Sequence, residues 1–134
     1  MGKGYEENQE RQQAVSMLGK DLARRAKSKC ELTGKSGVPL SIYEIPKVPK
    51  EPDINRCLMI CDAAREQIEN PKKMLADDWR HLAESAWSDL PSLQVMSVRI
   101  LQHLSQEHAW AQAIIDDLYL DDETQEWIDE APIA

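Results

Sequence analysis

The amino-acid sequence predicts an α+β fold: a small β-hairpin module flanked by an N-terminal helix and a C-terminal multi-helix module. Three observations carry this reading. Apolar residues recur at helical spacing on both sides of a central stretch. The central stretch alternates instead, is rich in strand formers, and is followed by the punctuation of Pro46, Pro49 and Pro52. Charge divides along the same line, with ten basic and six acidic side chains in residues 1–50 and six and eighteen in residues 51–134. The boundaries that follow are 1–29 for a basic helix, 30–61 for the β segment and 62–134 for the helical module, expected to pack as one compact unit.

The elements follow in order. Residues 8–28 read as one helix, with Ala14, Val15, Leu18, Leu22 and Ala26 on its apolar stripe. Thr33-Gly34-Lys35-Ser36-Gly37 is turn chemistry. Pro39 to Ile45 reads as a strand, and the apolar run Cys57 to Cys61 as a second strand pairing with it. Asp62 is placed to cap a short helix that ends at Asn70-Pro71. Asp77 or Asp78 then caps a helix carrying Trp79, Leu82, Ala83, Ala86, Trp87 and Leu90. Pro91 opens the next helix, whose face Leu93, Met96, Ile100, Leu101 and Leu104 is widened by Val95 and Val98, so it is expected to be central. Trp110, Ala111, Ile114, Ile115 and Leu118 form another helix. Asp122 with Gln125 resembles a capping box for a last short helix with Trp127 and Ile128.

Composition narrows the function classes. The 134 residues are 42% hydrophobic, too many for a disordered chain, and four Trp replace the absent Phe as large core fillers. No apolar run reaches the roughly 18–20 residues of a membrane span, so no membrane association is expected. The polar start has no apolar signal core, and three cysteines are an odd number for a disulfide framework. A cytoplasmic location with reduced thiols follows as the expectation. The net charge of −8 argues against nucleic acid along the whole chain. The exception is a basic cluster of Lys20, Arg24, Arg25, Lys27, Lys29 and Lys35. Cations at a helix C-terminus complement its dipole. The alternative reading is a patch for a phosphate-bearing partner.

The cysteines carry the most pointed signal. A zinc ribbon brings two CxxC knuckles together so that four thiolates meet tetrahedrally. Cys30-Glu31-Leu32-Thr33-Gly34 has the shape of one knuckle, with Thr33 where its second thiolate belongs. Cys61-Asp62-Ala63-Ala64 has the shape of the other, with Ala64 at that position. The β segment is therefore predicted to be a degenerate zinc-ribbon-like hairpin. Cys57 is the remaining candidate metal ligand beside Cys30 and Cys61. An extended strand puts it roughly 13 Å from Cys61, too far for two bonds of about 2.3 Å to one zinc ion without a local bend. A buried core thiol is its other reading.

Other motifs fail on their own terms. Gly34-Lys35-Ser36 imitates the end of a P-loop, but Lys29 stands where the first glycine belongs and a basic helix precedes it. The histidines His81, His103 and His108 form no HExxH, and the last two are five apart. Asp116-Asp117 and Asp121-Asp122-Glu123 read as helix surface and caps. No cysteine has a histidine nearby in sequence to activate it.

Four blocks in order, SKCELTGKSGVPLSIYEIP, LMICDAAREQIENP, DDWRHLAESAWSDLPSLQVMSVRIL and LYLDDETQEWI, resemble the PhnA family. This is the alkylphosphonate-utilisation operon group with an N-terminal zinc-ribbon segment. The resemblance spans roughly residues 19–130. It implies a ribbon in which Cys30 and Cys61 retain ligand positions, while Thr33 and Ala64 stand where family members have cysteine. With two thiolates left, the expectation is a ribbon without metal, zinc being the alternative cofactor. The family name marks a gene neighbourhood and specifies no reaction. A phosphonoacetate hydrolase would need a two-metal cluster of Asp and His that this chain does not offer. Expected function is thus a non-enzymatic accessory or interaction protein with a protein partner. The alternatives are a zinc-holding module contacting nucleic acid or a protein, and a phosphonate-related enzyme.

Overall fold

The structure, a computed structural model, describes residues 2–133, with side chains from residue 9 onward. Its architecture is α+β. Strands β1 (Leu40–Glu44) and β2 (Cys57–Cys61) pair antiparallel, with Leu40 opposite Cys61 and Glu44 opposite Cys57. The predicted strand over 39–45 is thus trimmed at both ends, although Ile45 still donates its N–H to Arg56 O. Every residue of β2 is buried, because the strand is covered on both faces. Leu58 and Ile60 point into the main core, while Cys57 and Met59 pack with Leu22 and Ala26.

The N-terminal helix is two helices, α1 (Gly2–Met17) and α2 (Gly19–Ala26), and this corrects the single helix expected over 8–28. Each half is attached to a different place. Arg11 on α1 donates to both carboxylate oxygens of Glu44 and to Lys50 O. Leu22 and Ala26 on α2 press onto β2. The regular helix is interrupted at Leu18, which keeps right-handed dihedrals, beside Gly19, where a glycine weakens the helix. Lys27 and Ser28 then adopt left-handed φ of 55° and 63°, turning the chain into the segment that holds Cys30.

Helix α3 (Asp62–Glu69) follows β2 directly. Its N-cap is Cys61 and no side chain bonds there, so Asp62 lies in the first turn and is not the cap. The helix predicted over 79–90 is broken into a 3-10 turn (Ala76–Trp79) and a single turn, α4 (Leu82–Ser85). A 3-10 turn repeats every three residues, so it meets the same apolar spacing. Gln67 on α3 fixes the break, accepting from Leu75 N and from Trp79 Nε1 at 2.9 and 2.8 Å. Trp79, Leu82 and Ala86 are buried as expected, but Trp87 is 53% exposed.

The central helix is α5 (Pro91–Leu104), which packs on β2, on α4, on α6 (Ala109–Asp117) and on α7 (Asp122–Glu130). Residues Val95 through Leu101 of α5 are all buried. The cap of α7 is Asp121, whose carboxylate accepts from Thr124 N at 2.7 Å, so the expected Asp122–Gln125 box is displaced by one residue. Among the described residues no helix is long and apolar enough to cross a membrane.

Candidate functional site

The first turn at the cysteines is built by local hydrogen bonds. Cys30 N–H donates to Lys35 O, and Gly34 N–H returns to Cys30 O at 2.8 Å. Gly34 has a φ of 77°, which a side chain would oppose. This turn directs Cys30 inward. A second segment arrives from the end of β2, where Cys61 leaves the sheet and starts α3.

The two segments meet at sulfur. Cys30 Sγ accepts N–H bonds from Thr33 at 3.4 Å and from Cys61 at 3.3 Å. Thr33 Oγ1 lies 3.9 Å from Cys61 Sγ and accepts from Lys35 N. Cys30, Cys61 and Ala64 are each 2% exposed or less and belong to one buried cluster. Cys30, Thr33 and Cys61, three of the positions singled out by spacing, therefore meet, and Ala64 is buried in the same core. His81 Nε2 sits 2.6 Å from Leu32 O; a carbonyl only accepts, so this nitrogen carries the proton.

The electrostatics follow from the donors. Burial pushes the Cys30 thiol up, but hydrogen bonds from the Thr33 side chain and the amides of Cys61, Thr33 and Leu32 outweigh it, and the net shift is downward. Cys57 lies elsewhere, and its thiol is shifted in the opposite direction. Its thiol faces α2 and donates to Asp53 O at 3.2 Å. Burial, then the Glu44 carboxylate, pushes it up to about 11.

Donor chemistry decides what this cluster holds. Structural zinc takes four nitrogen or sulfur ligands. The four knuckle positions offer two thiols, a hydroxyl and a methyl, so the set does not fit zinc. Among the described residues no group of three His, Cys, Asp or Glu is arranged to hold a metal.

The basic cluster separates into two kinds of residue. Arg25 is committed to the fold: it forms a fork with Glu31 at 2.9 Å and donates to Ile54 O and Cys57 O. Glu31 in turn accepts from Met59 N at 2.8 Å, so the pair clamps α2, the turn and β2 together. Lys20, Arg24, Lys27, Lys29 and Lys35 are exposed. The bridge between Lys29 and Ser36 sets Lys29 beside the Lys35 turn.

Two features lay outside the sequence reading. His103 and His108 both line a cavity of about 340 Å³ with Pro71, Lys72 and Glu107. His103 Nε2 is 2.9 Å from Pro71 O, and its Nδ1 is buried without a partner. Arg99 is 1% exposed and donates to three carbonyls, Pro46, Trp127 and Ile128. Its sequence signal was available: it is the sole Lys or Arg after Arg80, and it sits inside an apolar run. Comparison with protein-family models, with curated proteins and with solved structures finds no match to this chain.

Proposed function

We propose that this chain is a PhnA-like accessory or interaction protein, not an enzyme, built on a zinc-ribbon hairpin that has lost two of its four ligands. One observation carries the reading. Cys30 and Thr33 meet Cys61 across 28 to 31 positions of sequence, and Ala64 is buried in the same core as the two cysteines, which supports reading them as remnants of two knuckles. The N–H bonds to Cys30 Sγ support it further, since a knuckle directs its amides at sulfur. A half-buried hydroxyl and a buried methyl at Thr33 and Ala64 fit the replacement of metal contacts by packing.

Metal analysis tests the proposal. The Thr33→Cys/Ala64→Cys variant, produced with zinc in the medium, is expected to retain one zinc ion per chain, and the unmutated chain none. Zinc on the unmutated chain that is lost in Cys30→Ser would favour the zinc-holding alternative. Turnover of an alkylphosphonate by the purified chain would overturn the non-enzymatic reading.

A second reading is favoured by the exposed Lys20, Arg24, Lys27, Lys29 and Lys35 around the first turn. There the partner is nucleic acid, held at its phosphates. Such binding weakens steeply with salt. Binding to single- or double-stranded DNA with no salt dependence, or no binding at low salt, removes this reading.

A further inference from the structure

We infer that Cys30 and Cys61 form a two-coordinate site for a soft monovalent metal ion of the copper(I) class. The inference rests on the convergence described above and assigns a ligand to the same two sulfurs. Zinc fails there because it lacks two ligands. A soft closed-shell cation such as copper(I) does not need them: two thiolates satisfy it, and thiolate is the ligand type it selects.

Three features of the site fit that ion. Both thiols are buried in one cluster beside Thr33, whose amide touches one sulfur and whose hydroxyl faces the other. No third thiol competes, because Cys57 is turned to the α2 side of the sheet and engaged with Asp53 O. The charge is also provided for. Binding forms two sulfur–metal bonds and releases both thiol protons to solvent, without electron transfer. The product carries one net negative charge. A buried anion needs hydrogen-bond donors, and the N–H groups of Thr33 and Cys61 already point at Cys30 Sγ.

The test uses the full, reduced chain without oxygen. It is titrated with silver(I), which binds like copper(I) but does not change oxidation state, and then with copper(I) against a competing chelator. Expected are one ion per chain by native mass spectrometry, two protons released, and a new ultraviolet thiolate-to-metal absorption. Cys30→Ser and Cys61→Ser should each weaken binding by more than the roughly 10–100-fold of losing a supporting contact. Cys57→Ser should leave it unchanged. X-ray absorption on the unmutated complex reads the ligands without any variant, and two sulfurs alone are expected. A third sulfur, two or more ions per chain, or binding that survives Cys30→Ser overturns the inference. Zinc capture by Thr33→Cys/Ala64→Cys with no silver binding to the unmutated chain sinks this inference alone. Silver binding without zinc capture sinks the ribbon reading instead.

Discussion

Replacing Arg99 with Met is the most informative single perturbation of this fold. Arg99 reaches from α5 to the end of α7 and to the loop after β1. Trp127 O and Ile128 O belong to the last four carbonyls of α7, which have no partner inside the helix. The guanidinium supplies the donors and places positive charge at the negative helix end. Burial lowers the Arg99 pKa, and no carboxylate bonds to the cation directly. Each hydrogen bond from a charged donor contributes about 1.5–3 kcal/mol. Three of them give roughly 5–9 kcal/mol, against a desolvation cost of several kcal/mol. Met keeps the apolar stem volume, removes that cost and strands the carbonyls. The net expectation is a loss of about 3 kcal/mol, a large share of the 5–15 kcal/mol that holds a typical domain. Urea unfolding followed by far-ultraviolet circular dichroism measures it. Arg99→Lys keeps the charge without the fork and should recover only part of the loss. A loss under about 1 kcal/mol for Met, or a Lys variant as stable as the parent, would refute the reasoning.

Gln67→Leu removes the acceptor shared by Leu75 N and the Trp79 indole, and should cost about 2–3 kcal/mol in urea unfolding. The Trp79 indole would lose its partner while remaining 1% exposed. Glu31→Ala frees Arg25 and the Met59 amide together, so it should cost about 3 kcal/mol and exceed Arg11→Ala, whose ion pair is more exposed. Cys57 predicts a pH effect with a definite sign. Its folded pKa of about 11 lies above the ordinary 9.0, so its contribution is fully present below pH 9 and is lost as pH rises through 11. The parent should lose up to about 3 kcal/mol more than Cys57→Ala over that window. Parallel stability curves for the two proteins would contradict it.

The hairpin was legible because its signals are local: alternation, strand formers and proline punctuation need no tertiary partner. The same holds for α5, where Pro91 marks the start and the apolar stripe the face. The region 76–90 was not legible as built. Its apolar spacing suits an α-helix and a 3-10 turn alike, and the deciding contact comes from Gln67 on another element. The division at Leu18 was hidden for a related reason, since Glu44 and β2 draw the two halves toward different attachments. At the site, the spacing of Cys30 and Cys61 announced their meeting. Cys57 and Cys61 are the two ends of β2, yet they enter different clusters. Cys61 enters the main core because β2 ends there and the chain turns into α3. Arg25 read as surface charge because its partner Glu31 lies across a turn whose geometry no periodicity encodes.

A two-stranded hairpin is marginal by itself, and small metal-bound modules gain much of their folding free energy from the metal. Here Leu58 and Ile60 are covered by the helical core, and Cys57 and Met59 by α2. Arg25–Glu31 and Arg11–Glu44 tie α2 to β2 and α1 to β1. With both faces covered, the hairpin folds on burial and hydrogen bonding. A ligand at Cys30 and Cys61 therefore meets a site that already exists. Its effect should be that of binding to a folded protein, about 2.7 kcal/mol at a hundredfold excess over the dissociation constant. The same argument applies to Thr33→Cys/Ala64→Cys, which should keep its helical circular dichroism and cooperative unfolding when zinc is stripped by a chelator. Unfolding on zinc removal would mean that the hairpin depends on a metal for its fold, and that the burial on its two faces has been credited with too much.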